Sequence, residues 1–171
     1  GDEGRGLAGG VADVAVGTLG KAFGMFGAFI LCPDVVREHL IHFGQGFIYT
    51  TSLPPWHGDM VLAMLDRVRR CGKLRARLHR LGGLAREELS KTGLRVGGEA
   101  HILSLEVGDE KRCRLLASKL REEGILVFAA RYPTVPLGQA ILRVCLTAEH
   151  EPADVIRLRD ALSALIREEN S

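Results

Sequence analysis

Apolar and β-branched residues crowd VADVAV, residues 11–16, the first stretch of the chain with a readable pattern, and they predict a strand. GAFILC (27–32) is a continuous apolar run, as expected of a strand buried on both faces. Pro33 and Asp34 then open a short helix, DVVREHLIHF, which Gly44 stops. GFIYTTS (46–52) predicts a third strand, ended by LPP. Three strands and one short helix cannot cover a sheet, so this stretch predicts the edge of a larger one.

The period changes after that. From Asp59 to Lys91 the residues Val61, Leu65, Val68, Leu78, Leu81, Ala85 and Leu89 keep helical spacing, with breaks expected at Gly72 and at Gly82-Gly83. HILSLEV (101–107) predicts a strand and DEKRCRLLASKLREEG an amphipathic helix ended by Gly124. ILVFAA (125–130) and AILRVCL (140–146) predict two more strands around a rigid loop, RYPTVPLGQ. A helix with Pro152 in its first turn closes the chain. These elements form a βαββα unit. The organisation expected is α/β: the end of a large domain over 1–58, a connecting helical segment over 59–92 and a small α+β domain over 93–171.

Composition changes this picture little. A chain of 171 residues, 46% hydrophobic and 26% charged with a net charge of +2, suits a globular protein and points to no class of partner. The four cysteines form no CxxC pair, and the histidines show no metal-ligand spacing, so free thiols in a reducing cytoplasm and no metal are expected. The chain opens on Gly1 within a loop-like stretch, GDEGRGLAGG, which suggests a C-terminal portion of a longer protein.

Lys21 carries the candidate chemistry. It stands among glycines and apolar residues in VGTLGKAFGMFGAF (16–29), between two predicted strands. A desolvated lysine is a reachable nucleophile, glycines let backbone amides approach a phosphate, and Thr18 adds a hydroxyl. Those are the parts a site for pyridoxal 5'-phosphate (PLP) needs. By chemistry alone a surface lysine on a tight turn fits better. A nucleotide-binding P-loop does not fit, because Gly20-Lys21 is followed by Ala22 rather than serine or threonine.

Asp13 through Gly24, read as D-x-x-x-G-T-L-G-K-A-F-G, resembles the Schiff-base lysine segment of the α-oxoamine synthases, PLP enzymes of the aspartate-aminotransferase fold. GDEGRG, GFIYTTSLPP and RYPTVPLGQAILRVCLTAEH resemble three further segments of that family, in the same order. The resemblance implies the C-terminal part of an aspartate-aminotransferase-like transferase. FGAFILC, VGDE, LREEGILV and LTAEH are most similar to the branch that joins L-alanine to a pimeloyl thioester in biotin biosynthesis. The branches that make 5-aminolevulinate or transfer acetyl to glycine come next.

The resemblance implies a role for each matching residue. Lys21 would hold PLP and act as general base on the amino acid's Cα, and Thr18 would bond the PLP phosphate. Thr50 and Thr51 would reach the phosphate of a neighbouring subunit, which implies a homodimer with shared active sites. Arg143 would pair with the substrate carboxylate, and Thr134, between Pro133 and Pro136, would contact substrate. Ile141 stands where the family usually has a second arginine, and His150 belongs to a motif without an assigned role. The family's carboxylate at the pyridine nitrogen, its ring-stacking histidine and its glycine-rich phosphate turn have no match here. The expectation is that this chain alone is inactive and poorly soluble.

Two other classes compete with this reading. Arg67, Arg69, Arg70, Lys73, Arg75, Arg77 and Arg80 suggest nucleic-acid binding, but they spread around a helix and no aromatic side chains interleave them. A solvated helix face, near an anionic thioester carrier, accounts for them better. A non-catalytic remnant that retains only the small domain is the third class.

Overall fold

The computed structural model describes Glu3 and residues 10–169, which group into two compact units, Gly1–Gly72 and Lys73–Ser171. Apart from Glu3, the GDEGRG segment lies outside the described residues.

In the first unit, β1 (Ala15–Thr18) and β2 (Ala28–Leu31) form an antiparallel hairpin that pairs Gly17 with Phe29 and Thr18 with Ala28. A Cβ on Gly17 would lie 2.2 Å from the Phe29 ring, so only glycine lets that ring lie across the hairpin. α1 (Asp34–Phe43), a short α2 (Gln45–Ile48) and α3 (His57–Arg70) follow. All four residues of β2 are exposed, so the buried strand expected over 27–32 is a two-stranded ribbon with open faces. The third strand expected over 46–52 is also absent. No strand pairs with it among the described residues, and its backbone instead closes a helical turn through Ile48 N–H to the Gly44 carbonyl and Tyr49 N–H to the Gln45 carbonyl. Only Leu19 and His57 are buried among this unit's described residues.

The second unit holds the core. α4 (Gly72–Ser90) runs straight through Gly82-Gly83, where a break was expected. A Cβ on Gly82 would lie 2.8 Å from the Ala100 carbonyl oxygen, so this glycine serves a close backbone approach rather than a helix end. β3 (Arg95–Gly97), β4 (Ile102–Gly108), β5 (Phe128–Ala130) and β6 (Ala140–Cys145) form an antiparallel sheet of order β3-β4-β6-β5. β3 escapes a pattern search because it is three residues long and ends on glycine. α5 (Glu110–Glu122) is capped by Asp109, whose carboxylate accepts the Arg112 N–H at 2.7 Å, and α6 (Pro152–Glu169) starts on the expected proline.

One face of this sheet is dry. Leu103 and Leu105 of β4 and Leu142 and Val144 of β6 pack with Leu89 of α4, Leu116 and Leu120 of α5 and Leu162 of α6. Each fully buried leucine contributes about 1.5–3 kcal/mol relative to an exposed one. The alternate residues, Ser104 on β4 and Arg143 and Cys145 on β6, occupy the opposite face. None of the described helices is long and apolar enough to cross a membrane.

Candidate active site

The turn that joins β1 to β2 is built from backbone bonds across its base. Leu19 N–H donates to the Gly27 carbonyl, Met25 N–H to the Leu19 carbonyl and Gly24 N–H to the Lys21 carbonyl, each at 2.9 Å. Gly24 and Gly27 take positive φ, +60° and +98°, which the turn requires of glycine. Leu19 points inward as the turn's anchor, so its neighbours Thr18, Gly20 and Lys21 stand exposed.

Lys21 Nζ donates to Thr18 Oγ1 at 3.2 Å. The amine and the hydroxyl singled out in the sequence thus converge on one side of the turn. The desolvation expected of Lys21 is absent among the described residues. The reason is the ribbon it sits on, whose second strand is exposed along its whole length.

His57, to which the sequence assigns no role, packs under this turn. Only 7% of its surface is exposed, its Nε2 lies 3.6 Å from where a Gly27 Cβ would be, and that nitrogen has no hydrogen-bond partner among the described residues. An isolated histidine after LPP offers no sequence signal for burial. Thr50 and Thr51 follow α2 on an exposed, irregular stretch rather than on a strand edge.

Thr134 and Arg143 belong to the second unit. Thr134 is exposed in the loop between β5 and β6, and its N–H donates to the Arg131 carbonyl at 2.8 Å. Arg143 lies on the open face of the sheet in a cross-strand row, opposite Ser104 on β4 and Phe128 on β5. Ser104 in turn faces Gly97 on β3, where any Cβ would come within 2.6 Å of the serine oxygen. Among the described residues no acid or carbonyl partners the Arg143 guanidinium. A free planar fork on an open sheet can take a carboxylate in two parallel bonds. Strand alternation would have found Ser104 and Phe128 beside it, had the register been known.

A family model described as "Aminotransferase class I and II" matches residues 5–162. The chain belongs to this family. It has the family's α/β fold, with a partial sheet. Among curated relatives, the 8-amino-7-oxononanoate synthase of Photobacterium profundum is 38% identical over 172 residues, 99% of this chain and 44% of that protein. The same enzyme of Stutzerimonas stutzeri is 44% identical over 160 residues, 91% of this chain and 41% of that protein. The chain therefore spans less than half the length of these relatives. The crystal structure of 8-amino-7-oxononanoate synthase from Francisella tularensis matches with a TM-score of 0.81 and 30% identity, over 92% of this chain and 47% of that one. A Sphingomonas wittichii serine palmitoyltransferase matches with a TM-score of 0.82 and 26% identity, over 93% and 41%.

Proposed function

We propose that this chain is part of a PLP-dependent acyltransferase of the 8-amino-7-oxononanoate synthase type. The reaction joins L-alanine to a pimeloyl thioester and yields 8-amino-7-oxononanoate, carbon dioxide and a free thiol, a step of biotin biosynthesis. The observation that carries this reading is the Lys21–Thr18 pair on its glycine-bounded turn, in a chain that aligns over nearly its whole length with synthases of that name.

The donor set fits a phosphorylated aldehyde. Lys21 offers a primary amine for the carbonyl carbon, and Thr18 offers a hydroxyl for a phosphate oxygen. Bound PLP supplies an electron sink that makes the amino acid's Cα proton removable. Lys21 takes that proton and returns one to the product, the work of a general base and then a general acid. Arg143 holds the substrate carboxylate, and the Thr134 hydroxyl contacts substrate from a loop that Pro133 and Pro136 hold rigid. Thr50 and Thr51 serve the phosphate of a second copy, so the active unit is a homodimer.

Reduction with borohydride tests the reading. The PLP-loaded enzyme should show a near-ultraviolet to visible band that reduction abolishes, leaving the label on Lys21. The same band in a Lys21→Ala variant would end the assignment. Product analysis with alanine and with glycine separates this reaction from the glycine-using branches. The chain by itself should show no turnover, because it carries no counterpart of the family's carboxylate at the pyridine nitrogen.

A further inference from the structure

Gly97, Ser104, Arg143 and Phe128 form one row across the open face of the sheet, one residue from each of β3, β4, β6 and β5. The row sets a guanidinium between an aromatic ring on one side and a hydroxyl on the other. The Phe128 ring offers no strong acceptor. Ser104 does offer one, and a serine oxygen beside a guanidinium can take one of its N–H groups. Among the described residues no hydrogen bond joins these two side chains, although they stand directly opposite each other.

The reason lies one strand further out. A Cβ on Gly97 would stand 2.6 Å from Ser104 Oγ and, its chain neighbours apart, within 4 Å of no other atom. Cβ atoms directly opposite on paired strands are about 4.5–5.5 Å apart. An oxygen this close to position 97 has therefore turned toward β3 and away from β6. Glycine in a strand has no side chain to pack and weakens the pairing. The space it leaves here is used by the serine hydroxyl alone.

A methyl at position 97 would close that space and send the hydroxyl to another staggered position. Of the positions left, the one on the β6 side gains a charge-assisted hydrogen bond to Arg143. One arm of the fork would then be occupied, and a carboxylate could form one bond where two parallel ones are possible.

We propose that Gly97 and Ser104 are positioning residues for Arg143: the bare α-carbon of Gly97 draws the Ser104 hydroxyl over β3, and both arms of the guanidinium stay open for a carboxylate. The proposal rests on the reading that Arg143 holds the amino-acid substrate, and it adds what keeps that group unoccupied beforehand.

The test uses the complete PLP-loaded enzyme with Gly97→Ala, with Ser104→Ala and with both. Gly97→Ala should raise KM for L-alanine about tenfold, as a competing hydrogen bond to a charged group would. Its kcat, its KM for the thioester and its PLP absorption should match the parent. In the Ser104→Ala background the same methyl should change KM for L-alanine by less than about twofold, because the two positions act as one unit. A methyl that merely loosened β3 would raise KM equally with and without the serine. That result, or no rise in either background, would overturn the proposal. Should Gly97→Ala not fold, the similarly shaped pair Ser104→Asp and Ser104→Asn asks the same question without touching β3. The aspartate, which can pair with Arg143, should raise KM well above the asparagine, and equal values would overturn the proposal. Arg143→Lys separates the two levels. An unchanged KM for L-alanine there removes the carboxylate role of Arg143 and the proposal with it, whereas a raised KM there without an effect of Gly97→Ala removes the positioning role alone.

Discussion

Lys21 and Thr18 are three residues apart, and both are needed on the same side of one turn. On the proposed reading an alanine at position 21 removes the amine that would hold the cofactor and move the proton, so turnover should fall by at least the ~10²–10⁴-fold a positioned base contributes. Steady-state kinetics of the purified variant, with its absorption spectrum, checks this. Gly17 sets the turn's geometry from below. Gly17→Ala should strain the hairpin by about 1–3 kcal/mol through contact with the Phe29 ring, and a second change, Phe29→Ala, should recover most of that loss in thermal melts. Arg143→Lys keeps the charge and loses the fork, so KM for the amino acid should rise about tenfold or more while PLP absorption stays unchanged. Lys21, Thr18 and Arg143 stand out in the sequence because their neighbours form ordered motifs. His57 does not, since its burial depends on Gly27 and Leu53, whose approach no local pattern announces.

At the scale of elements, helices read more reliably than strands. α1, α5 and α6 carry their own start signals and periodicity, so local chemistry fixes them. A strand needs a partner, and GFIYTTS closes a helical turn where none is described beside it. The glycine pair in α4 shows the opposite error: a breaker signal that the structure uses for contact. Gly82→Ala should therefore destabilise the second unit despite the better helix propensity of alanine, because the Ala100 carbonyl cannot rotate away as a side chain can. Chemical denaturation checks the sign.

α4 and α6 are also joined by charge. Lys91, which donates to Glu88 at 2.6 Å, and then Arg159 hold the Glu88 carboxyl below its ordinary value against the opposing effect of burial. A carboxyl that titrates lower when folded contributes stability that is present above the unfolded value and lost as pH falls through the folded one. Melting temperature followed downward from about pH 5 should fall more steeply for the parent than for Glu88→Gln, which should start lower at neutral pH.

Across the whole molecule the two units differ in how much of themselves they bury. The second has a sheet face closed by three helices. The first exposes Phe26, Phe43, Phe47, Tyr49 and Trp56. Amide hydrogen exchange should be slowest at Leu103, Leu105 and Leu142 and fast across residues 10–72, because exchange tracks local packing. Uniform protection in both units would contradict this. The sequence carries the same division in softer form, as strands without enough elements to cover them.

β6 sets Leu142 and Val144 toward the helices and Arg143 toward the open face, with no residue to spare between them. Adding or deleting one residue in this strand would turn the guanidinium into the oil and a leucine into the water at a single stroke. If Arg143 holds the substrate carboxylate as proposed, divergence toward larger or smaller amino acids is thus barred from adjusting its reach by strand length. It has to work instead through the loops that flank the strand, where an indel leaves the alternation intact.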